Sequence, residues 1–205
     1  MKLIVFGATG RTGALVVSQA LSLGHDVTAV VRSPAKLQGS AAHVVQADVT
    51  DPQALGEVLP GHDAAISALG ASGNKSAGIA SAATRAILTA GCPRFIAVSA
   101  VPVDPTPNGE PFLVRRVVTP LLRTVLRDVY ADLERMEALI SASDGDWTIV
   151  RPPRLTNKPL TERYRRTIGH NVPNSSAISR ADLAHALIGM INDPATVRQV
   201  VGVSY

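Results

Sequence analysis

Short apolar runs alternate with longer stretches of helical period along most of the chain. Lys2–Phe6, Val27–Val31, His43–Ala47, Ala64–Ser67, Phe95–Ser99 and Trp147–Val150 are of strand length and apolar on both faces, and Arg198–Val203 is a candidate seventh. Helical periodicity fills the gaps over Thr12–Leu23, Pro52–Leu59, Gly78–Ala90, a long stretch within Val114–Ser141, and Arg180–Ile191. Strands buried on both faces and separated by helices predict an α/β fold. The expected form is a single-domain, Rossmann-like, doubly wound parallel sheet with helices on both faces, because right-handed crossovers carry the chain back over it. No repeat or linker divides residues 1–205. Pro102, Pro105, Pro107, Asn108, Gly109 and Pro111 interrupt the pattern and predict a surface loop beside the ligand cleft. The segment 102–130 is therefore read as a substrate-side cap, completed by 151–180.

Composition narrows the class. With 46% hydrophobic and 18% charged residues among 205, the chain can build a core and is not a disordered tail. No run approaches the roughly 20 apolar residues of a membrane span, and the apolar opening meets Gly7 too early for a signal peptide. A lone cysteine, Cys92, and five scattered histidines offer neither an internal disulfide nor a zinc pattern, which favours a cytoplasmic location. The net charge of +4 favours an anionic ligand but has no polybasic tail, so phosphates on a cofactor explain it without nucleic acid. The oligomeric state is left open.

The most specific signal is Gly7-Ala8-Thr9-Gly10-Arg11-Thr12-Gly13, placed directly after the first strand and opening the first helix. In that context Gly7 permits a tight turn, Gly10 lets backbone approach a pyrophosphate, and Gly13 lets helix and strand pack closely. The free N–H groups and positive dipole end of the helix then face the phosphates. At the end of the second strand, where an acidic residue would select NADH, the chain reads Val31-Arg32-Ser33-Pro34-Ala35-Lys36. Arg32 offers a planar fork to a 2′-phosphate, Ser33 a hydroxyl and Lys36 a second positive charge, which together favour NADP(H).

The Gly-x-x-Gly-x-x-Gly spacing resembles that of the atypical short-chain dehydrogenase/reductase superfamily. Within it the chain is similar to the NAD(P)H-binding group that contains biliverdin reductase B, the NADPH-dependent flavin reductase, and shades into the NmrA-like proteins. The resemblance is carried by Phe6–Gly13, Val30-Val31-Arg32, Ala47-Asp48-Val49, Val98-Ser99-Ala100, Arg135-Met136, Trp147–Pro153, Pro159-Leu160-Thr161 and Ile178–Leu183. It implies that Asp48 accepts from the adenine amine while Val49 packs on the ring, and that Leu69 and Gly70 pass the nicotinamide-side ribose. It also implies that Ser99 is the active-site serine holding the nicotinamide or the acceptor, and that backbone at Pro152 lies beside the nicotinamide. Arg154, after the sixth strand, is the candidate substrate contact.

A typical superfamily member pairs the serine with Tyr-x-x-x-Lys, whose lysine lowers the tyrosine pKa. Here the chain reads Tyr130-Ala131-Asp132-Leu133-Glu134, with a carboxylate in the lysine's place, so Tyr130 is read as a helix-surface or cleft-edge residue. Two function classes follow. One is an NADPH-dependent reductase delivering hydride to a small electron-poor acceptor such as a flavin or quinone; the other is a non-catalytic NmrA-like NADP(H) sensor. An epimerase or dehydratase would lack the same acid. Arg115, Arg116, Arg123 and Arg127 recur with Leu121, Leu122, Val125 and Leu126 at helical spacing, predicting a solvated basic face rather than a nucleic-acid site. Ser179-Arg180-Ala181-Asp182 predicts a capping box with a structural Asp182, and Cys92 is expected to pack near the fifth strand.

Overall fold

The computed structural model describes residues 1–37, 39–70, 77–103 and 124–205. The proline-rich loop beyond Val103 and the basic stretch up to Arg123 lie outside the described residues, as does the side chain of Lys36. Ten strands and five helices are described: β1 (Lys2–Phe6), α1 (Gly13–Ser22), β2 (Asp26–Val31), β3 (His43–Gln46), α2 (Pro52–Val58), β4 (Ala64–Ser67), α3 (Ile79–Thr89), β5 (Arg94–Val98), α4 (Arg127–Ser141), β6 (Asp146–Arg151), β7 (Arg154–Thr156), β8 (Arg165–Ile168), β9 (Ala177–Ser179), α5 (Arg180–Gly189) and β10 (Gln199–Ser204).

The main sheet runs β3-β2-β1-β4-β5-β6-β10-β8. Every neighbouring pair is parallel except β10 and β8, where Val203 faces Arg166 in an antiparallel register. The expected all-parallel sheet is thus mostly parallel, with one antiparallel edge strand. Strand order reverses between β2-β1 and β1-β4, and it is at such a reversal that the crevice above the strand ends opens.

Strand alternation divides the interior into two layers. Leu3 and Val5 of β1 join the layer built with α1 and α5, where Val16, Ala20, Leu183 and Leu187 are buried. Ile4 and Phe6 point the other way, into the layer with α2, α3 and α4, beside Leu55, Ile87, Met136 and Ile140. Both faces being covered explains why the strands read as continuous apolar runs. Arg94 crosses the core with each guanidinium nitrogen bonded: Nη2 approaches Met190 O at 2.8 Å, Thr148 Oγ1 at 2.8 Å and Thr196 Oγ1 at 2.9 Å, Nε donates to Ile191 O at 3.3 Å and Nη1 to Asp146 O at 3.2 Å. Burial pulls its pKa below the usual arginine value. Among the described residues no helix is long and apolar enough to cross a membrane.

Candidate active site

The turn between β1 and α1 is built by its glycines. Gly7 has φ +76°, and a Cβ there would stand 2.8 Å from the Ala68 carbonyl oxygen at the end of β4. Gly10 N–H donates to Gly7 O at 2.9 Å and closes the turn. A Cβ on Gly13 would collide with the Gly7 carbonyl, so only glycine lets α1 start this close to the strand. The amides of Arg11 and Thr12 precede the helix and donate to no backbone carbonyl among the described residues. Helix α1 has no side-chain cap at Thr12 and no acidic residue in its first turn. Its positive end is therefore not neutralised by a cap or first-turn carboxylate of its own and fits an anion.

On one side of this turn, beyond β2 and β3, lies a hollow of about 470 Å³ lined by Arg32, Gln46, Ala47 and Asp48. Arg32, Ser33 and Asp48 are exposed there. Asp48 Oδ1 accepts from the Thr50 amide at 2.9 Å and its hydroxyl at 2.8 Å. Those bonds, with the Arg32 charge adding to them, hold its carboxyl below the ordinary range. The cap of α2 is made by Asp51, which accepts from Gln53 N, so Asp48 is not used as a helix cap.

On the other side, a groove of about 400 Å³ is lined by Gly10, Arg11 and Thr12, by Ala68, Leu69 and Gly70, by Val98 and Ser99, and by Val129, Leu133, Leu155 and Arg180. Its floor is the ends of β4 and β5, and α4 forms a wall. Ser99 follows β5 and is anchored by its amide to Val150 O at 2.8 Å. Its hydroxyl donates to Glu137 Oε1 at 2.5 Å. Glu137, from α4, is gripped by Arg151 at the end of β6, through Nε to Oε1 at 3.0 Å and Nη2 to Oε2 at 2.5 Å. Ser99, Glu137 and Arg151 are each at most 7% exposed, so the pair is desolvated and charge-assisted. Arg180 enters from the first turn of α5, steadied by Asn157 Oδ1 at 2.6 Å. Burial and the neighbouring Arg11 charge pull its pKa below the usual arginine value. Two guanidinium groups sharing one groove favour an anionic occupant.

A turn that fits phosphates, with a hollow holding Arg32 on one side and a groove above β4 and β5 on the other, matches the way a doubly wound sheet binds a dinucleotide across its crevice. The profile of the NAD(P)H-binding family matches residues 7–194. The chain belongs to the NAD(P)H-binding family. Among curated proteins it is 35% identical to YwnB of Bacillus subtilis strain 168 over 71 residues, a stretch that spans 35% of this chain and 32% of that protein. Among solved structures, a protein of Burkholderia pseudomallei provisionally assigned as exported is 26% identical, with TM-score 0.78 and both chains fully covered. The anaerobilin reductase of Escherichia coli O157:H7 is 22% identical, with TM-score 0.78 over 100% of this chain and 97% of that one. A protein of Streptococcus pneumoniae TIGR4 provisionally assigned as an NADH-flavin reductase is 23% identical, with TM-score 0.79 over 100% and 99%.

Within this NAD(P)H-binding fold the residues singled out from sequence separate into groups. Gly10, Arg11, Thr12, Leu69, Gly70 and Ser99 meet at one groove, Arg32 and Asp48 at the hollow, and Gly7, Thr9 and Gly13 in the turn itself. Val49 goes elsewhere: at 4% exposure it belongs to the core with Phe6, Val30 and Leu55, so its side chain does not offer a face to an adenine ring. Pro152 is buried, and its carbonyl accepts from Val101 N at 3.1 Å. Arg154 is exposed at the start of β7 while the next residue, Leu155, lines the groove. Tyr130 packs against the core layer beside α4 and is not among the groove-lining residues. Glu137, Arg151 and Arg180 are the site residues that sequence reading did not assign. A single signal for Glu137 was available: it falls one helical turn after Leu133 and beside Met136, on the apolar side of α4.

Proposed function

We propose that the protein is an NADPH-dependent oxidoreductase that reduces a small, electron-poor, planar acceptor such as a flavin or quinone. The observation that carries this reading is the groove itself. It runs from the phosphate-binding turn to Ser99 between apolar walls of Leu69, Val98, Val129, Leu133 and Leu155, and its described lining residues include no Tyr/Lys pair. The nicotinamide supplies a hydride when bound. The chain's part is to bind, orient and exclude water: the α1 terminus holds phosphates, Arg32 meets the 2′-phosphate, and the apolar walls hold a flat ring against the cofactor. An isoalloxazine or quinone takes two electrons and one proton as hydride and its second proton from water, so no side-chain acid is required. The absence of Tyr-x-x-x-Lys then costs nothing with these acceptors, whereas a simple ketone needs a proton as it is reduced. The flavin and bilin reductases of the same fold, and the cysteine content that suits a reducing cytoplasm, are consistent with this reading.

The test is NADPH oxidation at 340 nm against FMN, riboflavin, quinones, biliverdin and simple ketones. Flavins or quinones should turn over and ketones should be poor. Tyr130→Phe should stay within about tenfold of the parent, well under the ~10²–10⁴ lost with a true general acid. Tight NADPH binding with no acceptor reduced would instead favour a non-catalytic NADP(H) sensor.

A further inference from the structure

The hydrogen of the Ser99 hydroxyl is already committed. It donates to Glu137 Oε1 at 2.5 Å, a length typical of a hydroxyl bound to an ionised carboxylate. Arg151 gives both carboxylate oxygens an N–H, at 3.0 Å and 2.5 Å, and so pairs a positive charge with Glu137 on the side away from Ser99. Both partners are only 7% exposed and are held from different elements, α4 and β6, so water does not compete for the pair. A hydroxyl has one hydrogen and two lone pairs, so what remains for the groove is acceptor capacity alone.

From this we infer that Ser99 is a hydrogen-bond acceptor toward the ligand, with Glu137 and Arg151 as the positioning residues that set its polarity. The group it recognises is an amide-type N–H, and the groove rejects a carbonyl oxygen at that point. Two sources carry such an N–H: the carboxamide of a nicotinamide and the imide of an isoalloxazine. The inference rests on the dinucleotide reading of the groove but not on any particular acceptor. It also removes Ser99 from the set of proton donors, because turning its hydrogen outward would give up the short bond to Glu137 and leave Oε1 with the Arg151 Nε–H alone.

Two pairs of probes distinguish the sources. In the first, NADPH and its 3-acetylpyridine analogue, which keeps the carbonyl and loses the N–H, are titrated by calorimetry without acceptor. In the second, kcat/KM is compared for lumiflavin and 3-methyllumiflavin, whose imide is blocked. In one of the pairs the parent should prefer the N–H partner, and Ser99→Ala should narrow that preference by about three- to tenfold, the worth of one neutral hydrogen bond. The double variant Glu137→Leu/Arg151→Met replaces the ion pair with apolar side chains, a change buried pairs often tolerate. It frees the hydroxyl to rotate and should narrow the same preference while retaining Ser99; a purely structural role would weaken both partners of a pair equally. If the double variant does not fold, as judged by circular dichroism, Ser99→Ala decides alone. Unchanged ratios in both pairs with intact NADPH binding overturn this inference and leave the oxidoreductase reading standing. Failure of NADPH and NADH alike to bind the parent overturns both.

Discussion

On the proposed reading, the choice of dinucleotide rests on one side chain, Arg32. It is exposed in the hollow it shares with Asp48, and Asp48 spends an oxygen on the Thr50 amide and hydroxyl, so the guanidinium is the group there best matched to a phosphate. Arg32→Glu removes charge-assisted bonds and sets a second carboxylate beside Asp48. NADPH affinity should fall about a hundredfold, while NADH, without the 2′-phosphate, should change little. Calorimetric titration of both cofactors checks this, and equal affinities in the parent would remove the 2′-phosphate assignment. The place of Arg32 was legible because it is set by position: it directly follows the second strand, and the structure puts it, exposed, in the hollow there. Glu137 was not, because a glutamate in an amphipathic helix ordinarily faces water. Its burial depends on Arg151, 14 residues later, and on Ser99, 38 residues earlier. Val49 was ambiguous for the opposite reason: its apolar side chain suits an adenine ring and the core alike, and the structure packs it in the core layer that holds Leu55 of α2.

At the level of elements, helix ends show how distant residues complete one another. Helix α3 starts after Gly78, at φ +100°, with no side-chain cap of its own. The cap comes from α4: Asp132 accepts from Ala80 N at 3.0 Å, from Ser81 N at 3.3 Å and from the Ser81 hydroxyl, and is 1% exposed. A carboxylate at the positive end of a helix, bonded to its orphan amides, serves as an N-cap supplied in space rather than in sequence. Asp132→Ala should cost about 2–3 kcal/mol in urea unfolding, an N-cap loss plus unsatisfied buried donors, and Asp132→Asn less. A loss within about 0.5 kcal/mol would mean that the amides find other partners. The long elements β1, β2, β4, β5 and β6 were readable because burial on both faces imposes an apolar run. β8 carries no such run: Arg165, Arg166 and Ile168 are exposed, and the strand exists because it pairs with β10, while β7 and β9, at three residues each, are too brief to show a period. Gly202 was the available clue to this neighbour, for a Cβ there would stand 2.7 Å from His170 O and from Val172 N.

For the molecule as a whole, Asp182 ties the C-terminal half to the Rossmann core. The predicted capping box is realised on one side, with Asp182 N donating to Ser179 Oγ at 2.9 Å. The carboxylate itself reaches further, accepting from Thr161 N at 2.8 Å, Glu162 N at 2.8 Å, Tyr205 Oη at 2.5 Å and Ser179 Oγ at 2.9 Å. It thereby joins the strap after β7, the start of α5 and the last residue, and it holds Glu162 at φ +58°, a left-handed conformation that a glutamate does not choose alone. Burial by itself would raise this carboxyl, but the bonds from Tyr205, the Thr161 and Glu162 amides and Ser179 outweigh it and hold the pKa below the ordinary value. A folded-state pKa below the unfolded one, about 3.9, means the stabilisation is complete above that pH and is lost as pH falls through the folded value. Asp182→Asn should therefore lower unfolding free energy by about 2–4 kcal/mol at neutral pH, because an amide cannot accept on both sides of a site built from donors. The gap from the parent should begin to narrow below about pH 4, where the unfolded carboxyl takes up its proton, and close only as pH falls through the lower folded value. Urea melts at pH 7, 5 and 3 measure it. A constant offset across that range would show that shape rather than charge makes the tie.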